Sequence, residues 1–251
     1  MKKTIILVHF GRSGSTVLGR MLDQNSAISW KAEFLTMHAK QNPEASLDLN
    51  AIRELQRSYT KNDSEVYSGY EVKYINFLQE NVKATIYEYL DAQAKAGAHL
   101  FFLRRQNTLA RIASVQKALA TQQWHRRVGA SQEDHIQTAN DVRLAVDSLK
   151  DFDTGVGPDQ LTRVLDQACN IERKVRDYVV CTLRGLELTY EGDVLPDPRI
   201  GYRRMCDHLH LPYGQAQIPL QKTSGGLAHD LKNFDEVQKL LKDTQYHWMT
   251  E

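Results

Sequence analysis

IILVHF, residues 5–10, runs directly into GRSGSTVLGRML, residues 11–22. A short, nearly continuous apolar run rich in β-branched residues marks a strand buried on both faces. From Thr16 to Gln24 the chain reads as a helix, with Val17, Leu18, Met21 and Leu22 at helical spacing. A buried strand entering a helix through a short two-glycine loop belongs to folds in which helices cover a parallel sheet.

The rest of the chain repeats the alternation. Ala27–Phe34 and Tyr67–Tyr74 read as strands, and a helix is expected from Leu49 to Tyr59. Phe77–Lys95 reads as a helix with Val82, Ile86, Tyr89 and Leu90 on one face, ended by Gly97. His99–Leu103, in AHLFFLRR, is the second clear buried strand, and Asn107 caps a helix running through Leu119. Residues 121–157 are polar, with a modest helix expected over Ala139–Leu149. Asp159 opens a long helix with the stripe Leu161, Val164, Leu165, Ala168, Ile171, Val175 and Tyr178. LELTY, residues 186–190, is a further strand, and Arg199–Leu209 a further helix. Asn233 and Glu236 read as a capping box for a last helix, Phe234–Leu241. The expected fold is a three-layer α/β/α arrangement around a central parallel sheet, as one domain over residues 1–251.

Such a chain can bury a sizeable core, being 41% hydrophobic and 25% charged. A net charge of +1 argues against non-specific nucleic-acid binding, yet the charge is uneven. Residues 1–22 carry Lys2, Lys3, Arg12 and Arg20 with no acid, and residues 92–132 carry seven Lys or Arg with none. That distribution suits a small polyanion. Three unevenly spaced cysteines imply no disulfide framework. The first apolar run is too short for a signal peptide or a membrane span, so a cytoplasmic protein is expected.

In open parallel sheets ligands bind beyond the carboxyl ends of the strands. Two polar, basic segments fall there: GRSGST after the first strand and RRQN after AHLFFL. A glycine loop opening a helix offers unpaired backbone N–H groups and the positive end of the helix dipole. Gly11 and Gly14 permit close approach, Ser13, Ser15 and Thr16 add hydroxyl donors, and Arg12 adds charge. The plain alternative is a strand-to-helix turn capped by Ser. A triphosphatase loop would read G-x-x-x-x-G-K-[ST]; here the glycine spacing differs and no Lys precedes the hydroxyl residue.

RSGST after a first strand resembles the 5′-phosphosulfate loop of sulfotransferases that use 3′-phosphoadenosine 5′-phosphosulfate (PAPS), which have a P-loop-like fold. LRRQNTLARIASVQKA, residues 103–118, is similar to that family's 3′-phosphate segment, in which an Arg at a strand end and a Ser in the next helix clamp the ribose phosphate. Here those residues would be Arg104 or Arg105 and Ser114, one or two positions further apart than in the commonest form of the motif. LELTYEGD, residues 186–193, looks like the family's strand ending in Tyr-Glu-Asp-Leu, with Gly192 and Asp193 altering the end. Residues 221–249 look like the C-terminal segment of bacterial carbohydrate-type members, in which Lys222 and Thr223 would close over the donor. The resemblance runs in patches and is weak over residues 35–95 and 121–155, where an acceptor pocket would vary.

The resemblance implies in-line transfer of a sulfuryl group from PAPS to a hydroxyl or amine of a small-molecule or carbohydrate acceptor, with no metal. Arg12 and the loop amides would stabilise charge on the bridging oxygen. The acceptor needs a base. Glu33, in SWKAEFLTMH, matches the Glu found there in many bacterial members; His38 is the alternative, and Lys31 or Lys73 would assist charge. A structural partner for a nearby cation is the other reading of Glu33. Cys206-x-His208-x-His210 has metal-ligand types without helical ligand spacing or a second cluster. Trp124-His125-Arg126-Arg127 reads as a basic rim near the acceptor. The competing functions are a nucleotide-dependent small-molecule kinase and a non-catalytic nucleotide-sensing module.

Overall fold

The computed structural model describes residues 3–60, 65–122, 124, 126–127, 142–221 and 225–251. In chain order the elements begin with β1 (Lys3–His9), α1 (Ser15–Leu22), β2 (Ile28–Trp30), α2 (Phe34–Gln41), α3 (Leu49–Thr60) and β3 (Tyr67–Lys73). They continue with α4 (Ile86–Lys95), β4 (His99–Arg104), α5 (Thr108–Thr121), β5 (Arg126–Arg127), β6 (Leu149–Asp151) and β7 (Val156–Asp159). The last are α6 (Leu161–Asp177), β8 (Leu186–Thr189), α7 (Pro198–His208), β9 (Leu220–Gln221), α8 (Leu227–Asp230) and α9 (Phe234–Leu241). They form two compact units, Met1–Arg104 with Glu172–Ile218, and Arg105–Ile171 with Pro219–Glu251.

The first unit is built on a five-stranded sheet in the order β2-β3-β1-β4-β8, parallel throughout. The apolar runs explain which strands are central: Ile5, Ile6, Leu7, Val8, Phe101, Phe102 and Leu103 are all 0% exposed. Alternate side chains point to opposite faces. Ile5, Leu7, Phe101, Leu103 and Leu188 pack with Leu18, Met21 and Leu22 of α1 and Tyr202, Met205 and Cys206 of α7. On the other face Tyr70 stands beside Ile6 in register, meets the Phe34 ring of α2 at 5.1 Å and donates its hydroxyl to the Gln56 carbonyl of α3. Gln56 Nε2 donates in turn to the Tyr89 hydroxyl of α4. The unit is thus three layers, helices on both faces of a parallel sheet. At the carboxyl ends His9 lies between Lys73 and Leu103, and Arg104 lies beside Thr189.

Three local expectations differ. The helix expected over Phe77–Lys95 begins only at Ile86, because Thr85 and Glu88 form a reciprocal capping box. Thr85 Oγ1 accepts the Glu88 amide at 3.2 Å, and Glu88 Oε2 accepts the Thr85 amide at 2.8 Å. The strand expected over Ala27–Phe34 stops at Trp30; Ala32 turns the chain at φ 47°, and α2 starts at Phe34. Of the helix expected over Ala139–Leu149, residues 139–141 lie outside the described residues, and the remainder is extended chain and a turn entering the antiparallel β6–β7 hairpin.

In the second unit α5, α6 and α9 enclose a core of Leu109, Ile112, Ala113, Leu161, Val164, Leu165, Val237 and Leu241, joined by Leu149 and Val156 of the hairpin. Arg111, 0% exposed, is held by Asp151 at 2.7 Å and Asp153 at 2.8 Å. Asn107 caps α5 by accepting the Ala110 amide at 2.8 Å. Asn233 stands at the N-cap position of α9, but its Oδ1 accepts the Leu144 amide at 3.0 Å, so it ties down a neighbouring segment and leaves the helix without a side-chain cap bond.

At the opposite, amino end of the first unit's sheet, His99 stacks edge-on with His208 at 5.9 Å. Burial first, and then the charges of His208, Lys3 and His210, hold the His99 imidazole below its ordinary value; burial and His210 do the same to His208. As pH falls through about 6.5 the unfolded chain therefore takes up protons before the folded one, and stability present above that value is lost below it. Thermal melts across this range should show the midpoint falling on the acid side, and His208→Gln should flatten the dependence. A wild-type midpoint that does not change there would remove these histidines from the pH response.

Candidate active site

β1 ends at His9 and the chain turns through Phe10–Gly14 into α1. Gly11 at φ 72°, Arg12 at φ 40° and Gly14 at φ 89° all have left-handed backbone. At Gly14 a side chain is also barred by packing, since a Cβ there would lie 2.6 Å from Val194 Cγ1. Successive N–H groups in such turns form anion-binding concavities. Gly14 is the N-cap of α1 and offers no side-chain cap bond to the helix. The Ser13 hydroxyl is buried, with no hydrogen-bond partner among the described residues. An uncapped helix start beside an unpaired buried hydroxyl is a place for an acceptor-rich ligand.

The left-handed turn at Ala32 and the start of α2 bring Glu33 to this end of the sheet. Its Oε2 lies 2.6 Å from Nζ of Lys73, the last residue of β3. Both side chains are partly open to solvent, at 24% and 20% exposure, as groups that meet a substrate must be. His9 stands between this pair and the loop. Its Nδ1 accepts the Gly11 amide at 3.0 Å, and its Nε2 lies 3.4 Å from Glu71 Oε2, long for a hydrogen bond. Glu71 Oε1 accepts the Trp30 indole N–H at 3.0 Å. The indole fits because its neighbours are glycines: a Cβ would come within 2.2 Å of Trp30 at Gly19 and 2.1 Å at Gly69. Burial alone would push the Glu71 carboxyl up; the donors turned toward it, His9 first and then Trp30, outweigh burial and hold the group below its ordinary value.

His9, Glu33 and Glu71 present ligand-type atoms within 4.8 Å of one another. The His9 ring argues against a cation at this trio. A metal-bound imidazole donates N–H from its other nitrogen. Here that nitrogen, Nδ1, is an acceptor for Gly11, so Nε2 carries the proton and faces Glu71 as a donor. Lys73 already supplies positive charge to Glu33.

The structure thus brings Glu33, Lys73, His9 and the Gly11–Thr16 loop together in the first unit. His38 lies on α2, with Nδ1 3.4 Å from Asn42 Nδ2. Arg104 extends to Glu187, Nε to Oε1 2.9 Å, and Glu187 also receives Arg176 at 2.6 Å. Thr189, at the end of LELTY, donates its amide to Asp193 Oδ2 at 2.6 Å, and Arg204 holds the other carboxylate oxygen at 2.6 Å. Arg105 and the buried Ser114 of α5 belong to the second unit. Lys222, Thr223 and His125 lie outside the described residues.

His9, Glu71 and Trp30 are the participants that sequence reading passed over. The available signal was Glu71 itself, a carboxylate within a segment read as a strand, which requires partners once that strand is buried.

No family model matches the chain, and no curated protein matches it. Among solved structures, it is similar to the sulfotransferase domain from the curacin biosynthetic pathway, at 16% identity over 91% of this chain and 82% of that one, with a TM-score of 0.49.

Proposed function

We propose that the protein is a PAPS-dependent sulfotransferase acting on a hydroxyl or amine of a small molecule or sugar. The observation that carries this reading is the loop after β1, an uncapped helix start with left-handed glycines, an unpaired buried Ser13 hydroxyl and Arg12, beside a carboxylate–ammonium pair. The loop and Arg12 hold the sulfate and 5′-phosphate end of the donor. Glu33 accepts the proton of the acceptor nucleophile as the new bond to sulfur forms. The bond between sulfur and the phosphate bridging oxygen breaks, and 3′-phosphoadenosine 5′-phosphate (PAP) leaves with the electron pair. Charge rises on that oxygen, where Arg12 and the loop amides are most effective. Lys73 orients Glu33 and adds positive charge beside the transferring group. For the 3′-phosphate, the sequence resemblance assigns Arg104 or Arg105 together with Ser114.

Calorimetry with PAP and with ATP tests the reading. We expect saturable binding of PAP with little heat from ATP, and transfer from PAPS to an accepted alcohol or amine in an acceptor screen. Preference for ATP would favour the kinase. Binding of PAP without transfer to any acceptor in the screen would favour the sensing module. Binding of neither nucleotide would overturn the proposal.

A further inference from the structure

The contacts Trp30–Glu71–His9–Gly11 run through the buried pair Glu71 and His9 and end on the first amide of the loop. We propose that Glu71 is a positioning residue that fixes the start of the anion loop at Gly11, by setting the tautomer of His9. This inference rests on the sulfotransferase reading for what the loop binds.

The argument begins with donors and acceptors. Trp30 Nε1 only donates, and it occupies Glu71 Oε1 at 3.0 Å. Gly11 N–H only donates, and it occupies His9 Nδ1 at 3.0 Å. A neutral imidazole with an accepting Nδ1 carries its proton on Nε2, which faces Glu71 Oε2 at 3.4 Å. Trp30 Nε1 and His9 Nε2 thus both turn donors toward Glu71, and an ionised carboxylate, which only accepts, suits both; His9 Nε2 and Glu71 Oε2 have no other hydrogen-bond partner among the described residues. His9 is 1% exposed and Glu71 2%, so water does not readily replace a lost partner.

The loop inherits this order. Gly11 N–H is engaged by His9. The Ser13 hydroxyl, without a partner among the described residues, and the amides at the start of α1 are left for the ligand. A glutamine at position 71 cannot reproduce the arrangement. Its oxygen can accept from Trp30, but its amide then points N–H groups at the His9 Nε2–H. The imidazole relieves that clash by moving its proton to Nδ1, which opposes Gly11 N–H and frees the loop's first turn.

The test is the proton position on His9 by nitrogen-15 NMR, with hydrogen exchange at the Gly11 amide and PAP calorimetry. In the wild type we expect protonated Nε2, unprotonated Nδ1 and a protected Gly11 amide. In Glu71→Gln we expect the Nδ1–H form to appear, Gly11 protection to fall, and PAP affinity to drop by about tenfold or more, consistent with a lost buried hydrogen bond. His9→Asn places an acceptor near Gly11 whatever residue occupies position 71, so His9→Asn and His9→Asn/Glu71→Gln should bind PAP alike. A wild-type His9 protonated on Nδ1 overturns the proposal even if no variant folds. So does a Glu71→Gln protein with unchanged tautomer, or with a changed tautomer and unchanged PAP affinity. A wild type that ignores PAP while showing the expected tautomer shift would overturn the sulfotransferase reading and the ligand link, and leave the Glu71-to-Gly11 coupling established.

Discussion

Glu33→Gln should lower the rate of sulfuryl transfer by about 10²–10⁴-fold, the range by which a positioned acid–base group ordinarily contributes. Affinity for PAP should stay within about threefold, since the substitution is isosteric and removes neither the loop nor Arg12. The reason lies in what Glu33 touches. Its carboxylate sits 2.6 Å from Lys73, close to His9 at the mouth of the loop, and it is partly exposed where an acceptor can reach it. The amide in its place can accept a hydrogen bond but cannot take the proton. Steady-state rates with PAPS and single-turnover measurements separate these effects. Should Glu33→Gln instead weaken PAP binding and leave the single-turnover rate intact, Glu33 is a partner for Lys73 and another group is the base. A sensing module would offer no transfer rate to lose.

Arg111→Met should cost about 3–5 kcal/mol of stability near neutral pH, as removal of one partner from a buried ion pair does. Arg111 is wholly buried on α5, one turn before Ser114, and its guanidinium holds Asp151 at 2.7 Å and Asp153 at 2.8 Å. Burial by itself would raise the Asp151 carboxyl; the charge and hydrogen bond of Arg111, helped by Thr154 and the Asp153 amide, overcome this and hold it low. With Arg111 present, this contribution exists above the ordinary carboxylate range and is lost as pH falls through the lowered folded value. Without it, burial raises Asp151 in the folded state, so the variant's deficit should shrink as the solution is acidified toward pH of about 4. Urea titrations near neutral pH and near that value measure both effects. Arg111→Met/Asp151→Leu should be more stable than Arg111→Met alone, because the double replacement removes the stranded charge. A neutral-pH loss below about 1 kcal/mol would mean that water or another cation reaches Asp151.

The two central strands were legible because their message is local. IILVHF and HLFFL have no polar face to turn outward, so each must lie inside a sheet covered on both sides, and both occupy the centre. The start of α4 was also written locally, in Thr85-x-x-Glu88, and was obscured by the apolar residues ahead of it that continue a helical pattern. The β6–β7 hairpin had no such signal. LKDFDTGV is polar and short, and its place follows from Arg111, some forty positions earlier, requiring two carboxylates in the interior.

Local pattern by itself determined the parallel α/β class, the left-handed glycine loop after the first strand and the clustering of positive charge, because each depends on neighbours within a few residues. The tertiary structure alone decided that Glu33 meets Lys73, that Arg104 turns to Glu187, and that Glu71 lies between Trp30 and His9. Those pairings join residues from different elements, and their chemistry depends on distance, burial and the position of a single proton on His9. None of these quantities is carried by the order of residues along one segment.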